Sequence, residues 1–192
     1  MRSLRCGSIR TLGEEAVAMS FKRPSSYGLW LMPSGEVRRQ LAEAILDLSR
    51  EYAAPPFEPH VTLASGIVGP AREVASKMTD LARRISPFTV RLSAVDGLDE
   101  YYRCLFVRVA TTQPIMTANK AAREVFSLDK QPVFMPHLSL LYGRLPSSVK
   151  EKIIASLGRQ FELEFKARSL HQYLIKGAPQ AWRHVAKSCL GL

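Results

Sequence analysis

One ten-residue segment of this chain occurs twice, and the repeat limits what the chain can fold into. Phe57–Gly66 reads FEPHVTLASG and Phe134–Gly143 reads FMPHLSLLYG, so Phe, Pro, His, Leu and Gly coincide. The two segments lie 77 residues apart (137 − 60 = 77). Because the match extends over ten positions at one offset, we expect the chain to contain two copies of one structural unit.

Each copy carries one histidine with a hydroxyl residue two positions later, His60 with Thr62 and His137 with Ser139. In a strand, residues i and i+2 lie on the same face, so each histidine shares a face with its hydroxyl. Imidazole titrates near neutral pH, so one histidine can accept a proton while the other donates one. A single such pair is often only structural. Packing alone does not require an ionisable residue in both copies, so we predict that these four residues form a catalytic site.

The apolar residues alternate between strand and helix patterns along the chain. We predict strands at 27–32, 60–64, 88–95, 103–110, 136–142, 161–168, 170–176 and 182–189. We predict helices after Ser34, at 70–84, at 114–126, and from a capping box at Ser148–Glu151 to about residue 157. This order and the repeat together predict an α+β fold of two lobes. Each lobe would be an antiparallel sheet with outer helices, and a pseudo-two-fold axis would relate the lobes across a central cleft.

The length of 192 residues fits a single domain. We assign residues 25–192 to one bilobal domain and residues 1–24 to a flexible tail or leader, because the N-terminal segment lacks a sustained apolar stretch. An organelle-targeting leader and an upstream extension, with Met19 opening the folded part, both remain open for this segment. No apolar run is long enough to span a bilayer, so we expect no membrane contact.

The charge and the remaining reactive residues narrow the ligand class. The net charge of +10 favours anionic ligands, either phosphate-bearing small molecules or RNA. The three cysteines show no metal-binding spacing, and a bridge between Cys104 and Cys189 stays open. His171 and His184 have no partner in a ligand-like pattern, so we expect them on the surface and predict no metal site.

These motifs resemble those of the 2H (two-histidine) phosphoesterases. The string from Phe134 to Tyr142 is similar to the second motif of the eukaryotic cyclic phosphodiesterases. So are Trp30 in the sequence LWLMP, and Tyr102-Arg103-Cys104 followed by an apolar strand and a Thr-Thr-x-Pro sequence. The similarity runs from about Tyr27 to the C-terminus.

The resemblance implies a hydrolase that needs no metal and no cofactor. Its expected substrates are ADP-ribose 1″,2″-cyclic phosphate and nucleoside 2′,3′-cyclic phosphates, and its expected role is linked to tRNA splicing. We expect the protein to be a cytoplasmic monomer. It further implies His137 as the base, His60 as the acid, and an aromatic substrate-binding pair at the cleft rim. That pair corresponds here to Trp30 and Tyr142, with Tyr102 as a third member.

Two other functions remain open at this point. A 2H enzyme could act on RNA ends or on 2′-5′ linkages, and the positive charge would then serve a longer substrate. A non-catalytic RNA-binding or nucleotide-binding module could use the same scaffold. Steep salt dependence would indicate a polynucleotide substrate, and shallow dependence a small one.

Overall fold

The structure is a computed structural model, and it describes residues 26–158 and 160–192. The N-terminal tail predicted at residues 1–24 lies outside these residues. Within them the chain alternates strands and helices, close to the predicted order. The strands are β1 (Ser26–Leu31), β2 (Val61–Ile67), β3 (Phe88–Asp96), β4 (Leu105–Val109), β5 (His137–Leu141), β6 (Gln160–Ala167), β7 (Ser169–Ile175) and β8 (Arg183–Cys189). The helices are α1 (Gly35–Glu51), α2 (Ala71–Arg83), α3 (Gln113–Val125) and α4 (Ser147–Leu157).

All eight strands form one sheet in the order β6-β3-β4-β5-β2-β1-β7-β8. Every neighbouring pair is antiparallel. The two strands that carry the histidines, β2 and β5, are central, and a single pairing of Val61 with Leu138 joins them. The sheet therefore consists of two four-stranded halves that meet at this seam. The predicted α+β class, with antiparallel lobes and outer helices, is confirmed.

The seam also shows the internal symmetry of the chain. Val61 and Leu138 are equivalent positions of the ten-residue repeat, and they lie directly opposite each other in an antiparallel pair. An antiparallel pairing of equivalent residues has a local two-fold axis between them. The same register pairs His60 with Ser139 and Thr62 with His137 across the two strands. All four side chains lie on one face of the sheet, and those of Val61 and Leu138 lie on the other.

The helices cover the face of the sheet to which Val61 and Leu138 belong. Leu63 and Leu140, the neighbours at i+2, share this face with them, and all four side chains are completely buried. Helix α1 packs on β5 and helix α3 packs on β2, so each helix covers a strand of the other repeat copy. These helix–strand contacts between the two repeat copies hold the two halves of the sheet together. None of the α-helix residues in the described part of the chain lines the cavity on the histidine-bearing face.

Two predicted local features differ from the structure. Helix α4 begins at Ser147 with Pro146 in the N-cap position and no side-chain cap hydrogen bond, so the predicted capping box at Ser148 does not form. Proline presets the backbone angle needed to enter a helix, which explains the earlier start. The predicted strand at 103–110 is shortened to β4, because Tyr101–Arg103 forms a 3₁₀ turn before it.

Neither cysteine of the described chain forms a disulfide: Cys104 is buried and Cys189 is exposed, each as a free thiol. Cys6 lies outside the described residues. Within residues 26–158 and 160–192, no helix combines the length and apolar character that a membrane span requires.

Candidate active site

A cavity of about 500 Å³ opens on the histidine-bearing face, across the seam between the two halves. Both repeat copies contribute their histidine and their hydroxyl to its lining, as the duplicated motif predicts. The remaining lining combines aromatic side chains with a few polar ones. All seven predicted site residues line this one cavity: Trp30, His60, Thr62, Tyr102, His137, Ser139 and Tyr142.

The two imidazoles are held in the same way. The Nδ1 atom of His60 lies 2.6 Å from the carbonyl oxygen of Glu58, and Nδ1 of His137 lies 2.8 Å from that of Met135. Glu58 and Met135 are equivalent positions of the repeat, and each precedes a buried proline. A residue before proline is restricted to extended conformations, so its carbonyl orientation is fixed. A carbonyl can only accept, so each Nδ1 carries a proton and each Nε2 remains for chemistry.

Burial keeps both histidines neutral in the unliganded protein. It lowers the pKa of His60 to about 4, with the Glu58 carbonyl acting in the opposite direction and nearby His137 lowering it slightly further. Burial also lowers the pKa of His137, where the Met135 carbonyl raises it and Arg103 lowers it. Near pH 7 both Nε2 atoms therefore carry a lone pair. A bound phosphate would favour protonation, because its negative charge stabilises an imidazolium.

The two hydroxyls differ in their surroundings. Ser139 is buried, and its Oγ donates a hydrogen bond of 2.9 Å to the main-chain carbonyl of Tyr102. Thr62 is half-buried, and its hydroxyl forms no hydrogen bond with other residues of the described chain. Thr62 can donate directly to a ligand. Ser139 must first exchange its carbonyl partner, since a hydroxyl has one proton to donate.

Trp30 lies in the wall of the cavity and not at its rim. Its side chain stacks on His60 at 3.5 Å between ring centroids and on Tyr173 at 3.8 Å. Both faces of the indole are therefore occupied, and only 3% of Trp30 is exposed. Trp30 cannot stack on a nucleobase in this arrangement, but it fixes the plane of the His60 ring.

Tyr142 is also buried, since its ring stacks on Phe57 at 3.7 Å. Burial raises the pKa of its phenol, against a hydrogen bond with Ser139 that lowers it, so the phenol stays neutral. The partly exposed aromatic residues of the cavity are Tyr102 and Trp182, whose rings lie 6.0 Å apart. These two side chains, and not the predicted pair Trp30 and Tyr142, offer a surface to a planar ligand group.

Sequence reasoning missed several other residues of the cavity lining, among them Arg103, Gln131 and Trp182. The sequence patterns predict Trp182 at the start of a strand and Arg103 on a strand face, and they predict no element for Gln131. Arg103 lies in the 3₁₀ turn and forms an ion pair of 2.6 Å with Glu100, which also lines the cavity. No short motif marks these positions, because the turn and the C-terminal segment reach the cleft only in the folded chain.

Arg108, the other basic residue of that region, forms an ion pair with Asp96 and does not line the cavity. Among the residues that the structure describes, no group of three or more His, Cys, Asp or Glu side chains is placed to hold a metal ion.

Comparison with known proteins relates this chain to one family. The model of the 2′-5′ RNA ligase superfamily matches residues 33–178. A cyclic phosphodiesterase of Arabidopsis thaliana is 27% identical over 125 residues, which is 65% of this chain and 69% of that protein. The solved structure of TT0787 of Thermus thermophilus has a TM-score of 0.63 at 19% identity, covering 86% of this chain and 98% of that one. E. coli LigT complexed with 3′-AMP has a TM-score of 0.60 at 17% identity, covering 88% of this chain and 100% of that one.

Proposed function

This chain belongs to the 2′-5′ RNA ligase superfamily, the 2H phosphoesterases, and we propose that it hydrolyses cyclic phosphodiesters by acid–base chemistry between His60 and His137. The observation that carries the proposal is the symmetric mounting of the two imidazoles. Each donates Nδ1–H to a main-chain carbonyl, and the two rings line one cavity from opposite sides of the seam. This arrangement leaves two basic nitrogens available to one substrate.

The reaction needs one proton removed and one supplied. A water oxygen attacks phosphorus, and the base takes a proton from that water as the new P–O bond forms. The P–O bond to the ribose oxygen breaks on the opposite side, and the acid protonates that oxygen. Two imidazoles facing one phosphate satisfy both requirements without a net change in charge on the protein.

We assign the base to His137 and the acid to His60, as the family resemblance implies. One feature supports the assignment: the face of Trp30 that covers His60 attracts a cation. Beside His137, the ion pair does not favour either role, because Arg103 lowers the pKa of His137 and Glu100 raises it. Burial acts against protonation of His60, so the bound phosphate must supply the negative charge that makes it an acid.

The hydroxyls and Arg103 would hold the phosphate. Thr62 and Ser139 can donate to the two non-bridging oxygens, where charge builds up in the transition state. Arg103 lies in the lining beside them, and its ion pair with Glu100 holds the guanidinium in place. Of these donors, Arg103 is held in place before the substrate arrives, whereas the Ser139 hydroxyl turns from the Tyr102 carbonyl to the phosphate.

The substrates that we propose are nucleoside 2′,3′-cyclic phosphates and ADP-ribose 1″,2″-cyclic phosphate. A cavity of about 500 Å³ suits a ligand of nucleotide size. The Arabidopsis relative is named a cyclic phosphodiesterase, and the structures of E. coli LigT include complexes with 3′-AMP, ATP and NADP⁺. We further propose that the enzyme acts as a cytoplasmic monomer on products of tRNA splicing.

The test is incubation with each cyclic phosphate in the presence of EDTA, with products separated by chromatography. We expect ring opening to a single phosphomonoester from each substrate, with no loss on addition of chelator. Loss of activity in EDTA and its return with a divalent ion would overturn the two-histidine mechanism. Retained binding without turnover would instead favour a non-catalytic module.

A second candidate substrate is an RNA end or a 2′-5′ linkage, favoured by the net charge of +10 and by the superfamily name. The salt dependence of kcat/KM separates the two. A substrate that contacts several phosphates loses orders of magnitude between about 50 and 200 mM salt, and a mononucleotide does not.

A further inference from the structure

A second cavity, of about 480 Å³, lies at the other ends of β1 and β7 from the catalytic cleft. The cleft is lined by Ser26 and Ile175, the first residue of β1 and the last of β7. The second cavity is lined by Met32, just after β1, and by Ser169, the first residue of β7. The stacked rings of Trp30 and Tyr173 stand between them, with Trp30 in the lining of the cleft and Tyr173 in that of the second cavity.

The charge of this second cavity, the basic pocket, is strongly one-sided. Its lining contains four permanently basic side chains and one acidic one: Arg38, Lys166, Arg168 and Lys187, with Glu58. The formal charge is +3 (4 − 1 = 3) before any histidine is counted. Arg38 pairs with Glu58 at 2.8 Å. The other three cations form no ion pair with any residue in the described part of the chain, so their charge is available to an anion.

Two imidazoles complete the lining. Nδ1 of His171 lies 3.3 Å from Nε2 of His184, and Nε2 of His171 lies 2.9 Å from the hydroxyl of Ser169. Burial lowers the pKa of His171 to about 4, with smaller contributions from His184 and Lys187. An anion bound here would offset the positive charge of Lys187. Imidazole and ammonium groups together are the donors that phosphate oxygens accept.

The N-cap residue of α1 lies in the lining of the same pocket. Ser34 is the N-cap residue and lines the pocket, but its side chain makes no capping hydrogen bond to this helix of 17 residues. The first N–H groups of a helix have no partner within it, and they favour a negative charge. The helix start lies beside the cavity, and the unpaired cations in the lining are the main attraction for an anion.

We propose that the basic pocket binds a phosphate group, as a second site distinct from the catalytic cleft. The ligand class is an inorganic or organic phosphate with at least two negative charges, either as a small molecule such as pyrophosphate or as the 5′-phosphate of a nucleotide chain end. Arg168 and Lys187 bind the phosphate oxygens. Both ring nitrogens of His171 already have partners, so the imidazole donor to the phosphate is Nδ1 of His184, which the contact with His171 holds in place. The proposal does not depend on which phosphodiester the cleft hydrolyses.

The four histidines of the chain divide equally between the two sites, which makes them site-specific reporters. Imidazole resonances of the protein are followed by NMR during titration with inorganic pyrophosphate. We expect His171 and His184 to respond with their own saturation curve, separate from that of His60 and His137. If the resonances of His171 and His184 do not shift when the response of His60 and His137 is saturated, the proposal is overturned.

The decisive variant is Arg168→Gln/Lys187→Gln, which removes two exposed cations from the basic pocket. We expect pyrophosphate affinity measured at His171 and His184 to fall at least about tenfold, because two charge-assisted contacts are lost. The response of His60 and His137 in the same sample shows that the variant is folded. An unchanged affinity at His171 and His184 overturns the proposal.

The matched control is Arg72→Gln/Lys77→Gln, which removes the same charge from exposed positions of α2. It should behave as wild type, and a loss equal to that of the pocket variant would show a general charge effect and refute a built site. A second titration compares a 5′-phosphorylated diribonucleotide with its 5′-hydroxyl counterpart. A response to the phosphorylated form alone identifies a chain end as the ligand, whereas a response to pyrophosphate alone identifies a small anion.

Discussion

The burial of His60 predicts that the protein loses stability in mild acid, and that one substitution removes much of this loss. His60→Asn is the appropriate change, because the Asn amide nitrogen can replace Nδ1 as the donor to the Glu58 carbonyl. Asn does not titrate. The pKa of His60 is about 4 in the folded protein, and about 6.5 is expected in the unfolded chain.

The direction and the size of the change in stability follow from these two pKa values of His60. Between pH 6.5 and 4 the unfolded chain binds the proton more readily than the native protein, so the free energy of unfolding decreases as the pH falls through this window. At pH 4.5 about 99% of His60 is protonated in the unfolded chain, against about a quarter in the native protein. This difference corresponds to about 2.5 kcal/mol, and at pH 7.5 it is below about 0.1 kcal/mol.

The assay is urea unfolding of wild type and His60→Asn at pH 7.5 and 4.5, in buffer free of phosphate. Wild type should lose about 2.5 kcal/mol more than the variant between the two pH values. The comparison holds even if the variant is less stable at both, because lost stacking on Trp30 contributes equally at each pH. His137→Asn should show an effect of the same sign, since burial lowers that pKa too. Parallel pH dependences for wild type and His60→Asn would refute the conclusion that His60 is buried as a neutral imidazole.

The remaining predictions concern activity. His60→Asn and His137→Asn should each reduce kcat by roughly a hundred- to ten-thousandfold in steady-state assays of cyclic phosphate opening; a near-normal rate in either folded variant removes that residue from the mechanism. The pH optimum of kcat/KM, which reports the free enzyme, should lie below about 6.5 because both pKa values are lowered; an optimum above pH 8 contradicts this. Thr62→Ala and Ser139→Ala should each cost about 2–4 kcal/mol in kcat/KM, whereas Thr62→Ser should have a mild effect. Of these variants, Ser139→Ala alone should also lower the free energy of unfolding by about 1 kcal/mol in urea, because the Tyr102 carbonyl loses the hydrogen bond from Ser139. Trp30→Leu should lower kcat more than it raises KM if Trp30 orients His60, whereas the reverse pattern would indicate a substrate-stacking role.

The local part of the fold could be predicted from the sequence. The apolar periodicity placed α2 within one residue at each end, predicted 70–84 against Ala71–Arg83. The strand and helix patterns depend only on which face is buried, and neighbouring residues reveal that face. Helix ends were less secure where two entry signals competed, as Pro146 and Ser148 do before α4.

Contacts between distant elements could not be predicted in the same way. The apolar stripe of α1 indicates that the helix packs on a sheet, but not that it crosses the seam to cover β5. His171 and His184 illustrate the same limit. They are 13 residues apart and adjacent only because β7 and β8 pair, with Tyr173 opposite His184. The surface position expected for both holds for His184 but not for half-buried His171.

The sequence repeat predicted which residues share the cleft, but not how differently the two copies are surrounded. Symmetry places both imidazoles on equivalent carbonyls, yet the strand beside each copy is different. His60 lies against Trp30 from β1, whereas His137 lies near the edge of the Phe106 ring from β4 and near Arg103. Acid–base catalysis needs two groups that respond differently to the same phosphate. The repeat supplies two equal histidines, and the neighbouring strands β1 and β4 give them unequal surroundings. In the mechanism that we propose, the difference between acid and base would therefore originate outside the duplicated segment.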